Sequence, residues 1–398
     1  MDIDRKLATL RIIDDIIPIE KADAIECAVI GGWKVVVKKN TFKPGDIALY
    51  IEIDAFLPEG NPAWQFLVDK QSRIFNGVKG HQLRTIRLRG QISQGLILPT
   101  NEIKEVQATI DFETDREKLF EMDFGPVLGI TKYEAPLPAA LSGKAKGLFP
   151  SFIRRTDEPR CQNKVSEIFG YDHVEIEVNV DPALIDPVAI ERGRMAIRDG
   201  KVYSIRKPEA SHDTEYEITL KMDGSSCTFY HLDGKVGVCS RNLELDIGEG
   251  NADNSFVRMF YDSGMDKILP QFGNIAVAGE LCGPGIQGNR EALKDFQFFL
   301  FNIQNIDEQR YLNPIERKAV YNQLIQAGVD PKKFKHVPVL HEAAKLPDLG
   351  IHGIDDLLQF AIGPSLVNKV REGLVFKRLD GGFSFKAISN DYLAQVKD

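Results

Sequence analysis

Three short segments far apart in the chain restrict most strongly what this sequence can build. They are Lys221-Met222-Asp223-Gly224, Glu372-Gly373-Leu374-Val375-Phe376-Lys377 and Ser384-Phe385-Lys386-Ala387-Ile388-Ser389. In the first, a lysine closes the apolar run Ile218-Thr219-Leu220 and passes into an Asp-Gly turn, so it projects from a strand end into a cleft. In the other two, a glutamate and two lysines flank alternating apolar residues of strand character. A lysine amine is protonated at neutral pH and becomes a nucleophile only where cations or desolvation disfavour the ammonium form. Together the segments suit a lysine that attacks a nucleotide phosphate beside a metal and a cationic clamp.

Taken alone, K-x-D-G also describes a surface lysine before a β-turn. Further segments decide between the two. Ser240-Arg241-Asn242 follows the hairpin after Lys221. Glu280 sits in Gly279-Glu280-Leu281-Cys282-Gly283-Pro284-Gly285 at the end of an apolar strand, and Phe298, Phe299 and Phe301 make an aromatic strand.

The 398 residues suffice for about two to three domains. The formal net charge of −8 neither supports nor excludes nucleic acid, because phosphate contact needs only a local basic groove. The five cysteines form no CxxC pair and the seven histidines are scattered, which argues against a zinc site and for a reducing compartment. Met1 to Asp15 is charged throughout, and no window approaches the roughly 18 apolar residues of a membrane span. The expectation is a soluble, cytoplasmic protein with no membrane partner.

The first hundred residues read as short strands between Gly/Pro turns: Trp33–Val37, Asp46–Ile53, Leu83–Arg89 and Ile92–Leu98. The alternation in Leu83–Arg89 sets Arg84, Arg87 and Arg89 on an outer surface, either a solvated face or a nucleic-acid contact. Leu137–Gly147 reads as a linker or mobile loop, and Asn179–Arg206 as a partly polar excursion. From Tyr216 the pattern is α+β. Strands are expected at 217–220, 227–231, 236–239, 275–281, 296–303, 374–376 and 383–388, with helices at 254–260 and 314–327. Pro314 and Glu316 mark the start of the second helix.

The order K-x-D-G, S-R-N, G-E-L-x-G, aromatic strand, E-G-L-V-F-K and S-F-K-A-I-S resembles the covalent nucleotidyltransferases, most closely the ATP-dependent RNA ligases. A barrel ahead of the lysine domain, and Phe149-Pro150-Ser151-Phe152 followed by Thr156-Asp157-Glu158-Pro159-Arg160-Cys161-Gln162-Asn163, resemble the Deinococcus and Naegleria type. The resemblance implies an α+β fold: an OB-type β-barrel over residues 1–140, a linker and insertion over 141–215, and over 216–398 an adenylyltransferase domain of antiparallel sheets flanked by helices, unrelated to ATP-grasp.

It also implies roles. Lys221 would attack the α-phosphate of ATP and carry AMP. Lys377 and Lys386 would neutralise that phosphate. Arg241 would bind the ribose or a phosphate, Asn242 the donor end, and Glu280 the ribose or a metal-bound water. Phe298 or Phe301 would stack on adenine, and Leu220 and Glu372 belong to the ATP-binding set. Arg160 would reach the β/γ-phosphates. Asp223, Glu280 and Glu372 would hold a hydrated Mg²⁺ or Mn²⁺. The partner implied is RNA with 5′-phosphate and 3′-OH ends, a nicked duplex among the candidates. Two departures stand out. Ser384 occupies the place where many relatives carry the first lysine of K-x-K, and Val165–Ser211 lengthens the stretch between Arg160 and Lys221 and reads as an insertion.

Other readings are a DNA ligase, a GTP-using capping guanylyltransferase, or a binding protein without catalysis. A barrel ahead of the lysine domain argues against the first two, and the complete set of lysines and acids against the third.

Overall fold

The computed structural model describes residues 5–112, 116–134, 144–169, 174–185, 195–198, 200–206 and 214–395. The chain divides into two compact units, residues 3–135 with 162–211, and residues 136–161 with 212–398.

The first unit is built from short antiparallel sheets. Ala8–Ile12 and Leu96–Pro99 flank Ile47–Ile51, and Asp15–Pro18, Ile25–Ile30 and Trp33–Lys38 form a meander. Thr131–Lys132, Ala55–Pro58, Val78–Gln82 and Arg73–Phe75 form a third sheet. Among the described residues the expected OB-type barrel is laid out as separate sheets that do not close. One reason is visible at Gly95, which splits the expected 92–98 strand into Gln91–Gln94 and Leu96–Pro99. Its φ is +108°, and a Cβ there would lie 2.5 Å from the Ile51 carbonyl oxygen, so only glycine lets the chain turn from one sheet to the next. Leu49, Ile51, Leu57, Trp64, Val106 and Phe124 make the core.

Among the described residues Thr85–Leu88 pairs with Gln91–Gln94 alone, and Ile86 and Leu88 are exposed alongside Arg87. Its alternation therefore does not bury one face. Arg89, with φ +51°, and Gly90 form the tip of this hairpin. The Asn163 side chain accepts from Trp33 Nε1 at 2.7 Å and donates to Glu52 at 2.9 Å, so this later segment buttons onto the first sheets. Val174–Val178, Lys201–Arg206 and Met195–Arg198 form a sheet of their own inside the expected insertion. Of the expected linker, 137–143 lies outside the described residues, and Ala145–Leu148 is an edge strand paired with Leu243–Leu245. Residues 186–194 and 199 of the polar excursion also lie outside them.

The second unit carries two antiparallel sheets. One runs Leu243–Leu245, Lys235–Cys239, Ser225–Leu232, Ile275–Cys282, Gln297–Asn305 and Arg310–Tyr311, with Phe334–His336 added in parallel. The other runs Val339–Lys345, Glu215–Lys221, Gly373–Arg378 and Ser384–Ile388. The helices over Ser255–Asp262 and Pro314–Gln326 start as their caps dictate. Asn254 accepts from the Phe256 and Val257 amides, and Asn313 and Glu316 form a reciprocal capping box. Phe298 stacks between Phe229 and Phe334 at 4.8 and 5.1 Å in the core of the larger sheet.

Candidate active site

Lys221 is the last residue of its strand, and its ammonium meets Glu372 Oε1 at 2.8 Å. Glu372 immediately precedes the neighbouring strand, whose register sets Gly373 opposite Lys221, so one strand pairing places amine and acid side by side. Asp223 follows in the turn. Glu280 lies opposite Ser226 in the other sheet. Gly224 permits this approach, because a Cβ on it would stand 2.5 Å from the Leu281 carbonyl oxygen and 2.7 Å from Cys282 Sγ.

The charges of these groups are set by one another. Burial alone would lower the Lys221 ammonium, but Glu372, Glu280 and Asp223 outweigh it and hold the group above its ordinary range. In the protein alone Lys221 is thus charged, and the neutral amine expected from the sequence requires those acids to be offset. Burial pushes Glu280 up to about 7, with Lys221 opposing and Glu372 and Asp223 adding. Asp223 rises to about 6 through burial and Glu372, against its hydrogen bond from Tyr392.

A second group of charges lies on the last two strands. Lys377 stands opposite Ser384, and Lys386 opposite Val375. Lys386 Nζ meets Asp157 Oδ1 at 2.5 Å, while Asp157 Oδ2 lies 3.3 Å from Arg241 Nη2. Lys377 Nζ donates to the Phe301 carbonyl at 2.9 Å and to Asn302, and lies 3.4 Å from Glu158. Ser384 donates to the same Glu158 carboxylate. Burial lowers Lys386 to about 8, Asp157 opposing and Lys221 and Arg160 adding. Lys377 is lowered to about 8 by burial, with Glu158 opposing and Arg317 adding. Arg160 bridges the backbone of Lys386, whose amide donates to the Pro159 carbonyl at 2.9 Å. Arg155 donates to the Arg241 carbonyl at 2.7 Å and to the Asn242 side chain at 3.1 Å, bracing the Ser-Arg-Asn turn.

A family model described as an OB-fold domain matches residues 7–100, and one described as RNA ligase matches residues 214–388. Naegleria gruberi RNA ligase solved with PPi is 40% identical, with 98% of each chain covered and a TM-score of 0.78. An alanine mutant of that protein with ATP and Mn is 40% identical, covering 99% of this chain and 100% of the other at a TM-score of 0.78. The chain belongs to the RNA ligase family. A further mutant of the Naegleria protein, with AMP and Mn, is 39% identical over 98% of both chains at a TM-score of 0.78. No curated protein matches the sequence.

In this RNA ligase the structure separates the two aromatic candidates. Phe298 is fully buried between two rings, so it serves the core and offers no face to a base; that expectation is corrected. Phe301 is half-buried, with Lys377 Nζ 6.0 Å from its ring centre. The Leu220 side chain is buried, and its amide donates to the Pro338 carbonyl at 2.9 Å. Sequence reasoning assigned no role to Asp157, Glu158, Arg290 or Tyr392. Asp157 and Glu158 stand in the quoted Thr-Asp-Glu-Pro-Arg run and were legible as motif members. Arg290 and Tyr392 carry no motif and are found only through their contacts with Asp223, at 3.5 and 2.9 Å.

The acids around Lys221 offer oxygen ligands only, and two of them are pushed toward the neutral form by burial and one another. A hard divalent cation beside them would relieve that crowding. Among the described residues no three His, Cys, Asp or Glu could hold an ion on protein atoms alone.

Proposed function

We propose that the protein is an ATP-dependent RNA ligase that joins a 5′-phosphate to a 3′-OH through AMP carried on Lys221. The observation that carries this reading is the Lys221 amine 2.8 Å from Glu372, with Asp223 and Glu280 close enough to set its charge. The Naegleria relative's complexes with ATP, AMP, PPi and Mn support it.

The chain's own residues then divide the work. Lys221 must first release the proton that its three acids hold. Mg²⁺ or Mn²⁺ among Asp223, Glu280 and Glu372, with waters completing the shell, would supply the positive charge that offsets them. The Lys221 nitrogen then bonds to the α-phosphorus as the bond to pyrophosphate breaks, and both amine protons lost on the way pass to solvent. Lys386 and Arg241 turn from Asp157 to the phosphates, and Arg160 follows on the β/γ side. Lys377, anchored on the strand of Phe301, fixes the clamp against the nucleoside that this ring receives. Asn242 serves the donor end. In the second step an oxygen of the RNA 5′-phosphate takes AMP from the lysine, and the lysine regains its protons. In the third, the 3′-OH displaces AMP and its proton leaves to solvent.

Incubation with α-phosphate-labelled ATP or GTP followed by a denaturing gel tests the reading. Label from ATP fixed to the protein is expected; label from GTP alone, or none, overturns it. Glu372→Ala should slow this labelling about a hundredfold, since it removes both the partner of Lys221 and a metal-facing carboxylate. Full labelling in excess EDTA would dispose of the metal.

The exposed Arg87 and Arg89 hairpin fits an RNA backbone contact. Arg87→Glu with Arg89→Glu should weaken RNA binding about tenfold at low salt and flatten its salt dependence by roughly two phosphate contacts. An unchanged salt slope would leave the hairpin a solvated surface. The five cysteines are all buried and none is in a disulfide, which suits a reducing cytoplasm. Among the described residues no helix is long and apolar enough to cross a membrane.

A further inference from the structure

The loop that follows Glu280 is strained. Gln287, Asn289 and Ala292 have φ of 43°, 47° and 49°, a conformation that side chains other than glycine rarely adopt. Such strain persists only where the surroundings enforce it, and it collects at functional sites. What this loop delivers is Arg290. Its guanidinium lies 4.9 Å over the Tyr392 ring, its Nε 3.5 Å from Asp223 Oδ2, and its Nη2 3.4 Å from the Val370 carbonyl oxygen. The Arg290 carbonyl accepts from Asn368 at 3.3 Å, and the buried carboxylate of Glu291 accepts from the Val367 amide at 3.0 Å. Tyr392 is tied down in turn: its hydroxyl donates to Asp223 Oδ2 at 2.9 Å and its amide to Ser389 Oγ at 3.3 Å.

The guanidinium therefore rests on a ring, and the loop that carries it is held by its own contacts, while the polar contacts of the guanidinium are loose. Charge-assisted hydrogen bonds are ordinarily about 2.7–2.9 Å long. Contacts at 3.4 and 3.5 Å leave most of the donor fork unspent, and the side chain is 24% exposed. A planar fork, pre-placed with spare donors, matches the oxygens of a phosphate monoester. Lys386 and Arg241 share Asp157, and Lys377 contacts Glu158. Arg290 instead contacts the carboxylate two residues from the nucleophile.

We propose that Arg290 binds the 5′-terminal phosphate of the RNA strand, with Tyr392 as its positioning residue. The proposal rests on the ligase reading above. The fork leaves Asp223 for the incoming phosphate and holds it beside Lys221. One phosphate oxygen then bonds to the AMP phosphorus, the N–P bond to Lys221 breaks, and the amine takes up a proton. A 5′-OH end offers no such oxygens and is not held.

The test is equilibrium binding of the full-length protein, without ATP, to RNA ending in a 5′-phosphate or a 5′-OH, as single strands and as nicked duplexes. Wild-type protein should prefer the phosphate end. Arg290→Met should weaken binding of that end about ten- to a hundredfold and leave 5′-OH binding where it was, so that the preference disappears. A structural role alone would move both ends together. Should the methionine variant fail to fold, Arg290→Gln, which keeps a donor for Asp223 without the charge, decides the same question. A preference retained in the variant, or absent from wild type, overturns the proposal. Labelling of wild-type protein by ATP is run alongside: its failure would sink the ligase reading, whereas labelling with a retained preference would sink only the role of Arg290.

Discussion

Lys221→Ala should reduce transfer of label from ATP to the protein to background, a loss of more than about a thousandfold, while the fold survives. Lys377 is bound to Phe301, Asn302 and Glu158, and Lys386 to Asp157, so no second amine takes the place of Lys221 at Glu372. The Lys221 side chain is a quarter exposed at the end of its strand, so trimming it to alanine opens no cavity in the core. Melting within a few degrees of wild type is expected. The adduct should be acid-labile and alkali-stable, as a phosphoramide is. An alanine variant that still forms such an adduct would place the nucleophile elsewhere.

Arg317→Leu should destabilise the protein by about 3–5 kcal/mol, a large share of a domain's stability. Arg317 and Glu217 are both fully buried and paired with each other. Arg317 Nε donates to His336 Nε2 at 3.2 Å, and His336 Nδ1 donates to the Val337 carbonyl at 2.8 Å, which fixes the neutral tautomer. Burial and Arg317 lower this histidine, in keeping with that form. Cutting the pair on one side strands a carboxylate in the core. Replacing both residues by apolar ones should cost markedly less, because no charge is left behind. Urea unfolding of the single and double variants measures both. A single variant within 1 kcal/mol of wild type, by the usual precision of such data, would show that the pair is not a strut. Glu217 also stands opposite Lys377 across the strands, so the same measurement probes the footing of the clamp.

The sequence disclosed the residues whose place is fixed locally. Lys221, Glu280 and Glu372 sit at or near strand ends with a turn or an adjoining strand beside them, and Pro314 with Glu316 announces a helix start within three residues. It did not disclose which side of a strand faces a ligand when both sides are apolar. Phe298 and Phe301 look alike in the chain, yet one is core and the other half-buried. Nor did it disclose contacts made across long separations, such as Asp157 on Lys386 or Arg290 on Asp223, because nothing in either segment names its partner. The OB-type domain was legible in its short strands and turns, but the point where one sheet passes to the next was not. The expected strand Ile92–Leu98 runs straight through Gly95, and only the approach of Ile51 shows that this glycine cuts it in two.

Neither compact unit is a continuous stretch of chain, and this bears on the order in which a ribosome releases them. The first unit lacks Asn163, and with it the button on Trp33 and Glu52, until residues of the second have already emerged. The second waits for Ser384–Ile388, with Ser384 226 residues beyond Glu158, before Glu158 and Asp157 find their lysines. A nascent chain halted near residue 160 thus holds two unfinished pieces and no finished one. The molecule should gain most of its resistance to proteases late in synthesis, and in few steps rather than domain by domain.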